Sequence, residues 1–485
     1  MEIPVVDVFA GPGGLNEGFQ AKRADGSHSP FRTRLSIEKD GVACLTLRLR
    51  AAVRETTSHT GELHPQYKEF LSGNVDFQEL LEDDAFRAAW VKASSEVKEF
   101  ELAESAREHS DRMIKEALGS AADGSKPWVL VGGPPCQAYS LAGRSRRTRD
   151  ESFDDDHKHT LYKEYLHIIQ QFKPAVFVME NVKGMLSSRH QGARIFDSIR
   201  QDLTAPAPDL KYALRSLVVP GPDPAPTDFV IKAEKYGVPQ SRHRVILLGI
   251  RLDYLDREPE TLAVSGPVTV GEAIGHMPAI RSKVSRRDSQ EEWVSALKSA
   301  HEFAHLPIGK IEIPPLGASS VAKQTGGETG VLEEWLDAAN VPVWTQHESR
   351  GHMISDLKRY AFLALHGREG MAVPKIHELP EDLKPNHKNI SAGRNAPFTD
   401  RFRVQLRDRP SSTVVSHIAK DGHYFIHHDP LQMRSLSVRE AARLQTFPDD
   451  YFFMGNRTQQ YHQVGNAVPP YLARQISEVV SELLV

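Results

Sequence analysis

The chain is 485 residues long, 40% hydrophobic and 26% charged, with a formal net charge of -4; it can bury a large core and divide into at least two domains. That charge excludes a uniformly basic coat for nucleic acid, although local patches can still carry phosphate contacts. Its two cysteines, Cys44 and Cys136, are too few for a disulfide framework and lack metal-ligand spacing, and no window approaches 18 uninterrupted apolar residues, so a cytoplasmic protein is expected rather than a secreted or membrane-spanning one.

Val5, Val6, Val8 and Phe9 predict a short strand, followed by a turn with Gly11, Gly13 and Gly14 and a helix from Leu15. Such a turn lets backbone approach a ligand, although the spacing is not that of a dinucleotide fingerprint. Thr33 to Ile37 predicts a second strand ending in Glu38, from which a carboxylate can reach ribose hydroxyls. The bland alternative is a turn that closes strand against helix, with a solvated glutamate. Glu79 to Leu118, rich in Ala, Glu, Lys and Leu, predicts one or two amphipathic helices.

A strand at Trp128 to Val131 runs into GGPPCQAYS, residues 132–140. The polar stretch after it, with Arg144, Arg146, Arg147 and Arg149 ahead of an acidic cluster, predicts a loop placed to act as a lid. Asp156, His157 and His159 within it lack the pattern of a metal centre, and no metal is assigned. A helix at Leu161 to Phe172 leads to the strand Val176 to Met179, with Glu180 directly after it. Cys136 and Glu180 thus each follow an apolar strand, at the carboxyl edge where parallel sheets bind ligands. Taken alone, Cys136 reads equally well as a small buried hydrophobe and Glu180 as a cap or ion-pair partner.

Gln240, Arg242 and Arg244 alternate just ahead of the strand Val245 to Ile250, which puts an amide and two guanidinium groups on one face. RSLSVREAARLQTFPDDYFF predicts an amphipathic helix with Ser437 as N-cap and Glu440 three residues on, stopped before Pro448. QVGNAVPPYLARQISEVVSELLV then predicts a glycine-bearing turn and a terminal helix.

Five blocks in this order, DVFAGPGGLNEGF, GGPPCQAYS, MENV, QSRHR and QVGNAVPP, resemble the DNA cytosine-5 methyltransferase family in its unpermuted motif order. The likeness runs over nearly the whole chain, with divergent stretches at 77–126 and 255–390. It implies an α/β fold: a Rossmann-like, mostly parallel, doubly wound class I S-adenosylmethionine-dependent methyltransferase domain, residues 1–255 with 458–485. A smaller target-recognition domain would be inserted at 256–457.

By that resemblance Cys136 is the nucleophile, its thiolate adding to C6 of cytosine so that C5 becomes an enamine. Glu180 is the proton donor to N3. Arg244 holds O2, with Arg242 and Gln240 supporting the same site, and the Pro135 carbonyl accepts from the cytosine amino group. Gln137, Ser140 and Arg144 fall on the substrate side. S-adenosyl-L-methionine, leaving as S-adenosyl-L-homocysteine, would be held by Phe9, Gly11, Gly13, Gly14, Glu38, Pro134, Thr160, Leu161, Asn466 and Val468. Asn74 stands where the family often has an aspartate against the adenine amino group, and Tyr139 replaces a commoner phenylalanine.

A base stacked in a duplex cannot reach the cysteine, so the target is expected to flip out, which costs on the order of a few kcal/mol. Target recognition is expected between Ile250 and Gln459, where SRRD at 285–288, RGHM at 350–353 and Arg394, Arg401, Arg403, Arg407 and Arg409 offer cations to phosphates and guanines. The implied partner is double-stranded DNA, methylated by a monomer associated with the nucleoid and serving beside a cognate restriction endonuclease or in phage defence. Three alternatives accompany this reading: methylation of tRNA cytosine, a nucleotide-dependent oxidoreductase, and a catalytically silent DNA-binding relative. The oxidoreductase leaves Cys136, Glu180 and QSRHR unexplained, and the intact nucleophile and acid speak against the silent relative.

Overall fold

Ile3–Val8 forms β1, in which every residue except Pro4 is buried. Near-continuous apolar character is what a strand needs when both faces and both edges are covered. β1 pairs in parallel with β2, Phe31–Glu38, on one side and with β4, Val129–Gly132, on the other. The computed structural model describes residues 2–135, 161–190, 193–323, 330–386 and 401–485.

Beyond β2 lies β3, Val97–Glu99, and beyond β4 lies β5, Val176–Val182, both again parallel. The sheet ends with β6, Tyr212–Arg215, β7, Val230–Lys232, and β8, His243–Arg251, and β8 runs antiparallel to β5, β6 and β7. The order of this eight-stranded sheet is β3-β2-β1-β4-β5-β8-β6, with β7 also on β8. Strand order reverses between β1 and β4, which opens a crevice at their carboxyl ends.

Helices cover both faces. On one, α6 (Arg107–Leu118), α7 (Leu161–Phe172) and α8 (Ile195–Thr204) bury Ile114, Ile168, Ile169, Phe196 and Ile199 against Val6, Leu130 and Phe177. On the other, α1 (Gly14–Gln20) and the terminal α13 (Pro470–Leu484) bury Phe19, Leu472 and Ile476 against Val5, Val131 and Val178. The expected doubly wound fold is what the chain adopts.

Two expectations about elements are corrected. The stretch from Glu79 to Leu118 is not purely helical: α4 (Phe77–Glu82) and α5 (Asp84–Glu96) are followed by β3 before α6. Val97 is fully buried and pairs with Ser36, and the Phe100 N–H donates to Glu38 O at 2.8 Å, so contacts with β2 override the helical composition. The helix after Ser437, α11 (Val438–Leu444), has the expected capping box with Glu440, yet it is buried on every side rather than amphipathic. Its polar residues are satisfied inside: Arg443 donates to Ala273 O and Asp449, and Arg439 to the carbonyls of Thr345, Pro448 and Tyr451.

Residues between β8 and α11 build a further core, whose centre is α9 (Gln290–Phe303) packed on α10 (Ile354–Arg368) through Trp293, Leu297, Leu357 and Ala361. Two antiparallel strands, β9 (Ala318–Ala322) and β10 (Val343–His347), pair within the same stretch of chain, and β10 packs against α11. The last turn before α13 is α12, Arg457–Asn466.

Candidate active site

After β1 the chain turns sharply, with φ of 56° at Phe9, 55° at Gly11 and 91° at Gly13. Gly14 has a different reason to be glycine: a Cβ there would lie 2.1 Å from Val468 O, so the turn and the α12–α13 connection touch backbone to backbone. Glu38, at the end of β2, fastens this turn. Its Oε2 accepts from Gly11 N at 2.8 Å and its Oε1 from Lys39 N and Asp40 N, both at 2.9 Å. Beneath lies Asp7, fully buried, with neither carboxylate oxygen hydrogen-bonded among the described residues. Burial, and next the Glu38 charge, push its carboxyl well above the usual range.

Across the crevice, β4 ends in Gly133, Pro134 and Pro135, and β5 places Glu180 beside them. A Cβ on Gly133 would be 3.0 Å from Glu180 Oε2, so this glycine lets the carboxylate stand close to the proline turn. Asn181 Nδ2 lies 3.4 Å from Pro134 O, tying β5 to that turn. The antiparallel register sets Arg244 opposite Val182 and Ile246 opposite Glu180, and Arg244 Nε reaches back to Glu180 Oε1 at 2.8 Å.

Both halves line one cavity of about 870 Å³, within the range of ligand sites. Of the residues expected at the site, Phe9, Gly11, Gly14, Glu38, Pro134, Pro135, Leu161, Glu180, Arg242, Arg244, Asn466 and Val468 are on its wall. Cys136, Gln137, Ser140, Arg144 and Thr160 lie outside the described residues, as do the arginine-rich loop and Arg394.

Four expected residues have other placements or bonds. Gly13 is off the cavity wall, with Leu47 and Tyr451 packed around its Cα. Asn74 is exposed after α3, Pro65–Ser72, where its amide donates to Glu69. Gly73 there is a left-handed helix cap, and Asp76 starts α4 with a capping box, so local helix-end chemistry occupies the stretch expected to meet the adenine amino group. Gln240 is fully buried, its amide shared among Leu444 O, Gln445 and Val414 N, which joins the sheet to α11 and offers a substrate nothing. Arg242 touches the cavity, but its guanidinium donates to Val414 O at 2.9 Å and Gly465 O at 3.4 Å. It therefore positions the wall.

The sheet also shows what sequence reasoning missed. Because β3 follows α5, the residues after it, Phe100, Glu101 and Leu102, line the cavity beside Glu38. Asp40, His417, His462 and Gln463 complete the wall. The signal for β3 was a single β-branched residue in a charged run, too weak to find. Elsewhere, Glu333, Asp337 and Asp449 gather carboxylate oxygens within 4.8 Å of one another. Lys323 already bridges Asp337 and Asp449 at 2.7 and 2.8 Å, and Arg443 pairs with Asp449 and Glu333.

A glycine turn at the switch point of a doubly wound sheet, sharing one cavity with a proline turn and a carboxylate–guanidinium pair, defines a Rossmann-like methyltransferase. The model of the C-5 cytosine-specific DNA methylases matches residues 105–482, and the chain belongs to that family. It is 32% identical to the Type II methyltransferase M.Bpa9945I of Bacillus paralicheniformis, over 99% of both chains. With the Type II methyltransferase M.AgeI of Thalassovita gelatinovora it shares 30% identity, over 76% of this chain and 86% of the other. In fold it is similar to a prophage-encoded protein of E. coli assigned as a DNA modification methyltransferase, with a TM-score of 0.55 and 18% identity, over 100% of this chain and 99% of that one. The enzyme is thus a DNA (cytosine-5-)-methyltransferase of a family that uses S-adenosylmethionine. Among the described residues, no helix is long and apolar enough to cross a membrane.

Proposed function

We propose that the chain methylates cytosine within one short sequence of double-stranded DNA, after flipping that base into the cavity. The observation that carries this reading is the Glu180–Arg244 pair at 2.8 Å, set beside the proline turn that leads into Cys136. N3 and O2 are adjacent atoms of one cytosine edge, so a carboxyl and a guanidinium held side by side can address both. The cofactor end fits S-adenosylmethionine: the wall offers Phe9, Ile37 and Leu102 as apolar surface, the Glu38 carboxylate, and the Asp7 oxygens, which have no partner among the described residues.

In the proposed chemistry the Cys136 thiolate forms a bond to C6, and the ring electrons move toward C5 and N3. Glu180 donates a proton to N3, which neutralises the ring, and general acid help of this kind is worth roughly 10²- to 10⁴-fold. Arg244 holds O2 while Arg242 keeps the wall in place. When bound, S-adenosylmethionine supplies a methyl cation equivalent to C5. The C5 proton then leaves to a base, its electron pair re-forms the C5–C6 double bond as the C6–S bond breaks and Cys136 departs as thiolate, and N3 returns its proton to the Glu180 carboxylate. Phe9, Gly11, Gly14, Glu38, Pro134, Leu161, Asn466 and Val468 hold the donor, with Phe100 and Glu101 taking the place expected of Asn74.

Residues 1–255 with 458–485 form the catalytic body in this reading, and 256–457 the recognition body on the core around α9 and α10. The Type II relatives support a role in protecting host DNA from a cognate endonuclease; in this proposal the enzyme acts as a monomer on nucleoid DNA. The test is expression in a host without cytosine methylation, with bisulfite sequencing of its genome beside a Cys136→Ala control. Protected cytosines in one motif, absent from the control, are expected. A soluble protein that protects none would overturn the DNA reading in favour of RNA.

A further inference from the structure

We propose that Arg286 and Arg287 read a guanine in the target sequence, from a turn clamped to the rim of the cavity; this rests on the sequence-specific reading above. The cationic side chains of the recognition region divide into two kinds. Arg281 is buried and pairs with Asp288 through both terminal nitrogens, at 2.9 and 2.7 Å. Arg350 is buried and donates to the carbonyls of Ile418, Ala419 and Lys420. Arg401 pairs with Asp421, and Arg409 with Asp408. Arg281 and Arg350 are thus committed to the protein, while Arg401 and Arg409 hold exposed carboxylates at the surface. Arg286 and Arg287 are exposed, and neither guanidinium makes a hydrogen bond or ion pair with the described residues.

The backbone that carries them is held from three directions. Asp288 Oδ1 also accepts from Val284 N at 3.1 Å. Ser285 N donates to His352 O at 2.8 Å, and His352 N to Lys283 O at 2.9 Å, which sews the turn to the Arg350–Met353 segment. Arg286 sits at φ 71°, a left-handed conformation that an arginine adopts only where its surroundings impose it. Strain maintained at an exposed cation is a reason to look for function there.

The segment is also bolted to the cavity. Arg350 stacks over the Tyr461 ring at 5.0 Å, and the next residue, His462, lines the cavity. The carbonyls that Arg350 caps begin one residue after His417, another wall residue. Arg457, next to the wall residue Thr458, donates to Ser349 O at 3.4 Å. DNA that delivers a base to Glu180 must therefore pass this rim. A guanidinium fork carried on a fixed backbone can match O6 and N7 of guanine in the major groove, whereas a phosphate asks for charge without a fork. Lys283, exposed beside the pair, suits the phosphate.

The experiment compares bisulfite-read methylation motifs of the full-length wild type with Arg286→Gly and Arg287→Gln, and with Arg-to-Lys at each position. Glycine tolerates the left-handed backbone, so Arg286→Gly removes the guanidinium from a protein that folds. The wild-type motif is expected to contain a guanine. At that position the variants are expected to accept other bases, with discrimination falling roughly 10- to 100-fold, while the other positions keep theirs. A motif without guanine, full recovery by lysine, or an unchanged motif with uniformly weaker methylation and a shallower salt dependence would each overturn the assignment. Wild-type protein that methylates no DNA would instead sink the enzyme reading on which it rests.

Discussion

The contact between Gly14 and Val468 joins the first turn of the chain to its last. Gly14→Ala places a methyl 2.1 Å from Val468 O, and backbone on both sides must move apart. Overpacking of this kind costs about 1–3 kcal/mol, and here it also displaces the wall on which the donor rests. The expected result is a lowered Tm together with a dissociation constant for S-adenosylmethionine raised at least tenfold, read by calorimetry. A variant that binds as wild type would show that the wall at Val468 does not hold the donor. Glu180, Arg244 and the glycine turn were legible because short motifs place each one at a strand end. Asn74 lies off the cavity because its glycine-containing stretch serves two helix ends, while Phe100, Glu101 and Leu102 after β3 line the wall. Gln240 and Arg244 share a strand pattern, yet only the latter meets the cavity, since the chain between them bends at Arg242 and β8 begins at His243.

At the scale of elements, α11 packs between α12 and β10. Arg434 just ahead of it pairs with both Glu440 oxygens at 2.6 Å, with each side chain 1% exposed or less. Burial alone would raise the Glu440 carboxyl, but the Arg434 guanidinium outweighs it and holds the group far below the usual range. Glu440→Gln leaves the guanidinium without its counter-charge, a loss of about 3–5 kcal/mol for a broken buried pair. Urea denaturation is expected to show the midpoint falling accordingly; a change under 1 kcal/mol (about the size of a surface pair) would mean that Gln432, Ile280 O and Ser435 O suffice for Arg434. The capping box of this helix was visible in sequence because it is local. Its complete burial was not, because the groups that neutralise Arg439 and Arg443 come from β10, Ala273 and the segment after the helix.

The whole molecule carries a set of histidines kept neutral by burial. His276 is pushed down to about 4, and His347, His352, His423, His427 and His428 are also lowered, with burial the leading cause in each. In the unfolded chain these rings titrate near 6.5. Above that pH both states are neutral and stability is fully present; as pH falls from about 6.5 toward 4 the unfolded state takes up protons that the fold refuses, and stability is lost. Asp7 runs the other way, since its raised carboxyl favours the fold at low pH and loses that contribution as pH rises. Six groups of one sign outweigh it, so Tm is expected to be flat from pH 8 to about 6.5 and to drop steadily below. A Tm unchanged between pH 7 and 5 would contradict the burial of these rings.

By itself the sequence determined the sheet's principal strands, the helices that cover it, the order of the motifs and the chemistry those motifs allow. Each of these depends on residue type and spacing within a few positions, where local propensity and apolar period act directly. Tertiary structure alone decided that β3 joins the edge of the sheet, that α11 is buried on every side, and that Arg286 and Arg287 face solvent while Arg281 and Arg350 do not. Those outcomes turn on partners tens to hundreds of residues away. A charged side chain is neutralised, exposed or placed in a cavity by what the fold brings against it, and its own neighbours in sequence do not carry that information.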